Sequence, residues 1–183
     1  MTIVQNKGSF RDPDGYIFEL NEEIFRCVNG SYRQNFEHFL SSGLCKRLVD
    51  LGYLLPFIEV DRDIFDLPDT FKVLKPERIH FISYPYEWSF NMYKDAAILT
   101  LEIQKVALEY GMSLKDASAY NIQFQDGRPV FIDTLSFDLL VDDHPWVAYR
   151  QLCQHFLAPL ALMAKVAPSL NKMMLFNLDG IPL

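Results

Sequence analysis

Half of the 183 residues are hydrophobic, enough to bury a sizeable core in one domain or two closely packed lobes, which argues against a disordered tail. Seventeen Lys and Arg stand against 24 Asp and Glu for a formal charge of -7, and with no basic cluster along the chain a nucleic-acid surface is disfavoured. Three scattered cysteines, Cys27, Cys45 and Cys153, show no C-x-x-C spacing and suit neither a disulfide framework nor a zinc site, so a reducing cytoplasm fits best.

The start, "MTIVQNKGSFRDPDG", lacks the basic flank and apolar stretch of a signal peptide. Alternation on both sides of "LNEE" then predicts a hairpin over residues 16–28. Phe36, Phe39, Leu40, Leu44, Leu48 and Leu51 recur at helical spacing behind Ser31, a candidate N-cap, with Gly52 as the stop. Residues 56–76 read as loop, with "FKVL" as a brief strand, and "RIHFISY" reads as a further strand that "PYEW" breaks. A long amphipathic helix follows and closes at Gly111. "NIQFQ" and "RPVFID" are joined across "DG", a strong hairpin turn pair. The last third is helical, with Pro159 as a kink or break. Its apolar part, "FLAPLALMAKVAPSL", is interrupted by prolines and a lysine and falls short of the roughly 20 residues a membrane span needs.

The stretch that carries chemistry is "LKDASAYNIQFQDGRPVFIDTLSF", residues 114–137. It sets Asp116, Asn121 and Asp133 around a polar turn and an apolar run. Either the three share a cation or each is a local device: Asp116 as the acid of an S-x-x-D capping box with Ser113, Asn121 as a left-handed turn residue, Asp133 as a buried acid that must find a partner. His38, His80, His144 and His155 are scattered and read as surface or core residues rather than metal ligands. Among the aromatics of "YPYEW", core and turn packing competes with stacking on a ligand.

"DASAYN" followed by "VFID" resembles the catalytic loop and metal-binding segment of the protein-kinase-like superfamily, especially its aminoglycoside phosphotransferase branch. The resemblance implies an α+β fold with a small antiparallel-sheet lobe, residues 1–85, and the start of a helical lobe, residues 86–183. It implies Asp116 as base toward a substrate hydroxyl, and Asn121 and Asp133 as ligands of the magnesium that bridges the phosphates of ATP. Arg26 would stand at the phosphate-pairing lysine position, Glu37 at that of its glutamate partner, and Tyr86 and Glu87 at the interlobe hinge beside the nucleotide. The departures are Leu114 for the histidine, Ser118 for a residue that is often basic, Thr134 for the glycine, and "GSFRDPDG", with Gly8 and Gly15 only, for the glycine-rich loop. They fall on phosphate clamping and catalysis and spare metal holding.

A narrower resemblance covers nearly the whole chain. "RDPDGYIFE", "VLKPERI", "FISYPYEWSF", "MSLKDASAYNIQF" and "PWVAYRQLCQHFLAPLALMA" look like the amino-terminal region of bacterial proteins described as class I SAM-dependent methyltransferases, some of them nodulation-related. In those the methyltransferase domain follows. No strand with a G-x-G turn occurs here, so no S-adenosylmethionine site is expected in these residues. The expected function is binding of a nucleotide with magnesium, with phosphoryl transfer to a small hydroxylated molecule as the further step. The alternative is a non-catalytic module that presents substrate to a methyltransferase domain. Neither reading involves nucleic acid or a membrane.

Overall fold

The computed structural model describes residues 12–65 and 67–183, and the backbone of Val4 and Gln5. Gly8 lies outside the described residues. An antiparallel sheet is built in the order β1-β2-β3-β5-β4 from β1 (Val4–Gln5), β2 (Gly15–Leu20), β3 (Glu23–Asn29), β4 (Phe57–Val60) and β5 (Thr70–Pro76). Asn21 and Glu22 at the β2–β3 turn both have positive φ, 52° and 65°, the backbone that matches a two-residue hairpin to the strand twist.

Successive strand residues point to opposite faces, and the register turns that alternation into two different surfaces. Ile17 is opposite Arg26, and Arg26 opposite Leu74, so one face carries a row of Ile17, Arg26 and Leu74. The other face carries Phe18, Phe25, Cys27 and Val73, which form a small core with Phe65. Phe18 stacks on Phe25 at 5.4 Å between ring centres, and Phe65 meets Phe18 edge-on at 5.3 Å.

The helix expected after the hairpin is two helices, α1 (Arg33–Ser41) and α2 (Leu44–Asp50). Gly43, at φ 90°, turns the chain between them, a conformation that glycine reaches without steric cost. Ser31 caps neither helix; its hydroxyl donates to the carbonyl of Pro13 instead. "FKVL" lies inside β5, a central strand paired on both sides, and residues 57–60, expected as loop, supply its edge partner β4. "RIHFISY" forms no strand. Beyond Pro76 it runs outside the sheet, with Phe81 and Tyr84 in solvent, so its alternation has no facing strand to serve.

Ser89 caps α3 (Phe90–Glu109) by accepting the Met92 N–H at 3.3 Å, and Gly111 turns the chain at φ 69°. The second hairpin is β7 (Ile122–Gln125) with β8 (Arg128–Phe131), flanked by the pair β6 (Met112–Leu114) and β9 (Phe137–Leu139). It is tied to the segment after α2: Phe131 N donates to Tyr53 O at 2.8 Å and Leu55 N to Phe131 O at 2.9 Å. The last third holds α4 (Tyr149–Leu152), a π-helical turn (Cys153–Leu157) and α5 (Ala158–Lys165). The π turn is the expected break: Pro159 has no N–H and its ring crowds the carbonyl four residues back, so the preceding turn widens.

The main core runs through all of these elements, from Tyr32, Phe36 and Phe39 to Trp88, Phe131, Phe137 and Phe156. The protein is thus a mixed α/β fold with a small antiparallel sheet. Among the described residues no helix is long and apolar enough to cross a membrane.

Candidate functional site

The row of Ile17, Arg26 and Leu74 forms one wall of a cleft of about 290 Å³, closed by Ile24, Ile82 and Ile132 and by Thr134. The lining surface is mostly apolar, with Arg26, Lys75 and Arg78 as its cations and Glu22, Glu23 and Glu77 as its acids. Such a concave, largely apolar space with a few convergent polar groups is the usual form of a small-molecule site. Among the described residues, two buried side-chain polar atoms lack a hydrogen-bond partner, Tyr93 Oη and Thr134 Oγ1. Thr134 lines the cleft and is 5% exposed. A buried hydroxyl left unpaired is costly.

Arg26 donates to Asp133 Oδ1 in an ion pair whose two side chains are each 14% exposed. Asp133 also accepts the Leu135 N–H at 3.1 Å and the Ser136 hydroxyl at 2.7 Å. Burial alone would push its carboxyl up, but Arg26, Ser136, Leu135 and Lys115 together hold it below the ordinary carboxylate value. Asn121 is drawn to the same place from two sides: its side-chain amide donates to Ser136 Oγ at 3.3 Å, and its backbone carbonyl accepts the Ile132 N–H at 2.9 Å. Asn121 and Asp133 are therefore joined through one hydroxyl, Ser136.

Asp116 sits apart from this pair. Its Oδ1 accepts the Ser118 N–H at 2.9 Å and the Gln151 amide at 2.7 Å, and Gln151 in turn accepts the Ala117 N–H at 2.6 Å. That is a local turn tied to α4 and not a capping box, because Ser113 lies in β6 and bonds to Gln104 at 3.0 Å. Behind it His155 accepts the Ala119 N–H at Nδ1, 3.3 Å away. Burial lowers the His155 pKa against the pull of Asp116 and Asp179, which keeps the ring neutral and able to accept.

Two expected placements are corrected. Glu37 does not meet Arg26: it is an exposed residue of α1 paired with Arg33 one turn away at 2.9 Å, and Asp133 takes the Arg26 charge. Tyr86 and Glu87 do not line the cleft. Tyr86 stacks on Tyr84 at 5.4 Å, Glu87 accepts the Tyr84 N–H at 2.8 Å, and the cleft is bordered by residues 76–79 and Ile82.

Lys115 and the turn before β2 were not anticipated as site residues. Lys115 pairs with Asp14, lies 3.6 Å from Asp138 and sits 4.5 Å above the Tyr32 ring. Burial opposes its charge, but Asp14, Asp138 and Asp12 outweigh that and raise its pKa. Asp12 is raised too, by burial first and then by Asp133, against the Asp14 N–H that it accepts. Gly15 makes the close approach possible: a Cβ there would stand 2.1 Å from the Cys27 carbonyl and 2.5 Å from Leu135. The available signal was a lysine next to Asp116 and the acids of "RDPDG", which spacing alone does not connect.

The donors present, one carboxylate and one side-chain amide, suit a hard cation that takes its remaining ligands from phosphate and water. Among the described residues no three His, Cys, Asp or Glu side chains gather to hold a metal by themselves.

Fold and cleft together define a mixed α/β domain with a ligand-sized site against its sheet. No family model matches the chain. It is 36% identical over 177 residues to nodulation protein NoeA of Rhizobium meliloti (strain 1021), an alignment that covers 96% of this chain and 37% of that protein. The chain thus spans little more than a third of the length of that relative.

Proposed function

We propose that the chain is a kinase-like domain that binds a nucleotide, or its nucleoside, in the cleft against the sheet. The observation that carries the reading is the concave, largely apolar cleft against the sheet, whose lining holds Arg26, the partner of Asp133. The aliphatic walls suit a planar base, and Arg26, Lys75 and Arg78 along the lining suit phosphates. The order of elements supports the kinase-like architecture: hairpin, helix, sheet completion, a connection, a long helix, then the loop with Asp116 and Asn121 and a hairpin leading to Asp133. Asn121 and Asp133 are the residues that would hold magnesium, which would supply neutralising charge to the phosphates. Asp116 is the base in the finer reading, phosphoryl transfer to a small hydroxylated substrate.

A second reading is a non-catalytic accessory domain of a SAM-dependent methyltransferase. It is favoured by the engagement of Asp116 with Gln151 and Ser118 and by the greater length of the relative. A thermal-shift titration with adenosine and with ATP, each with and without magnesium, separates the two. A ligand that binds the folded state at a hundredfold excess over its dissociation constant stabilises it by about 2.7 kcal/mol. The first reading expects a rise in melting temperature with at least one of the two. A flat melting temperature with both sinks it and leaves the accessory domain.

A further inference from the structure

Of the cations that border the cleft, Arg26, Lys75 and Arg78, two are held by the chain's own acids. Arg26 is paired with Asp133, each side chain 14% exposed, and parting a pair at that depth leaves two uncompensated charges. Lys75 follows Leu74 in β5, so its side chain leaves from the opposite face of the sheet. Its ammonium lies there, 2.6 Å from Glu23 and 6.0 Å from the centre of the Phe25 ring, and Phe25 belongs to the small core on that face.

Arg78 differs from both. It is exposed and, among the described residues, makes neither an ion pair nor a hydrogen bond. The strip that carries it is pinned at both ends: Glu77 N donates to Pro56 O at 2.8 Å, and Ser83 N donates to the Gln123 side-chain carbonyl at 2.9 Å. Between those points Arg78, Ile79 and Ile82 border the cleft, whereas His80 and Phe81 do not, and Phe81 is 77% exposed. An arginine so placed can lay its stem along apolar surface and keep its guanidinium in contact with water. Glu22 and Glu77 border the same space, so no net positive field draws a polyanion. What remains is one cation open to one anionic group in direct contact.

We propose that Arg78 is the anion anchor of the cleft: its guanidinium takes one phosphate group of the ligand through paired N–H donors, and so makes the cleft select a nucleotide over its nucleoside. This rests on the nucleotide-class reading of the cleft. Neither Arg26 nor Lys75 has to leave its acid when the ligand enters. The contact needs no magnesium, which separates it from the roles assigned to Asn121 and Asp133.

Calorimetric titration with adenosine and with adenosine 5′-monophosphate, both in EDTA, tests this on the wild type, Arg78→Met and Lys105→Met. Lys105 is an exposed residue of α3 outside the cleft lining, so its removal changes the net charge as Arg78→Met does. Arg78 has no partner in the fold to lose, and Arg78→Met is expected to melt with the wild type. The wild type is expected to bind the monophosphate about tenfold more tightly than adenosine, the range of a hydrogen-bonded contact to a charged group. Arg78→Met is expected to abolish that preference while adenosine affinity stays within about twofold, and Lys105→Met to keep it. Adenosine binding without a preference for the monophosphate in the wild type, or with a preference that survives Arg78→Met, overturns the anchor and leaves the nucleotide reading standing. An equal loss in Lys105→Met also overturns it, because overall charge would then account for the preference. Binding of neither probe by the wild type overturns the nucleotide reading, and the anchor with it.

Discussion

Asp133→Ala is expected to lose about 3–5 kcal/mol of folding stability, the cost of stripping one partner from a buried ion pair. Arg26 would be left with its guanidinium largely out of water, and the Leu135 N–H and Ser136 hydroxyl would lose their acceptor. Arg26→Met combined with Asp133→Leu is expected to recover most of that loss, because removing both charges avoids an uncompensated one. Urea denaturation of the three variants measures it. The pH dependence follows from the lowered Asp133 pKa. A carboxyl that titrates below its ordinary 3.8 in the fold contributes stability that is complete above about 4 and is lost as pH falls through the lower folded value. The acid limb of the stability profile should therefore flatten in the double variant.

Trp88→Ala is expected to cost about 3–5 kcal/mol, the range for deleting a large aromatic from a packed core. Trp88 is 1% exposed and meets the rings of Tyr93 and Phe124 edge-on at 5.4 and 5.3 Å. Its indole N–H donates to the Ser83 hydroxyl at 3.0 Å, and the Ser83 backbone N–H donates to the side-chain carbonyl of Gln123 of β7 at 2.9 Å while its carbonyl accepts from the Gln123 side-chain amide at 3.1 Å. That network fixes the end of the connection that borders the cleft. Trp88→Phe, which keeps most of the packing and loses the indole donor, should cost distinctly less. Chemical denaturation of both variants decides between packing and the hydrogen bond as the main contribution.

The two hairpins were legible because each has its own local signal, alternation around a polar turn, and "DG" at the second, where Asp126 and Gly127 both take positive φ. The break near Pro159 was legible for a similar reason, since a missing N–H acts within one turn. The sheet's order was not, because β4 and β5 are joined only by pairing across residues 57–76, and short edge strands carry little pattern of their own. At the site, Asn121 and Asp133 were legible as a pair, and their meeting depends on the hairpin that the sequence also announces. The partner of Arg26 was misplaced on Glu37. Helical spacing says which face of α1 a residue occupies but not which strand residue faces it, and Glu37 turns out to have a closer cation in Arg33. Lys115 and Asp14 lie 101 residues apart, and only the tertiary fold, with Gly15 admitting the close approach, brings them into contact.

The cleft can be watched directly through isoleucine methyl groups, since Ile17, Ile24, Ile79, Ile82 and Ile132 line it and Ile58, Ile64 and Ile98 are exposed and do not. Methyl NMR spectra recorded during titration with adenosine, and then with ATP and magnesium, test whether the ligand enters this space. Saturable shifts confined to the five cleft isoleucines, with Ile58, Ile64 and Ile98 unmoved, are what a nucleotide-class site against the sheet predicts. Shifts at none of the five at millimolar ligand, or shifts confined to Ile58, Ile64 and Ile98, would contradict it.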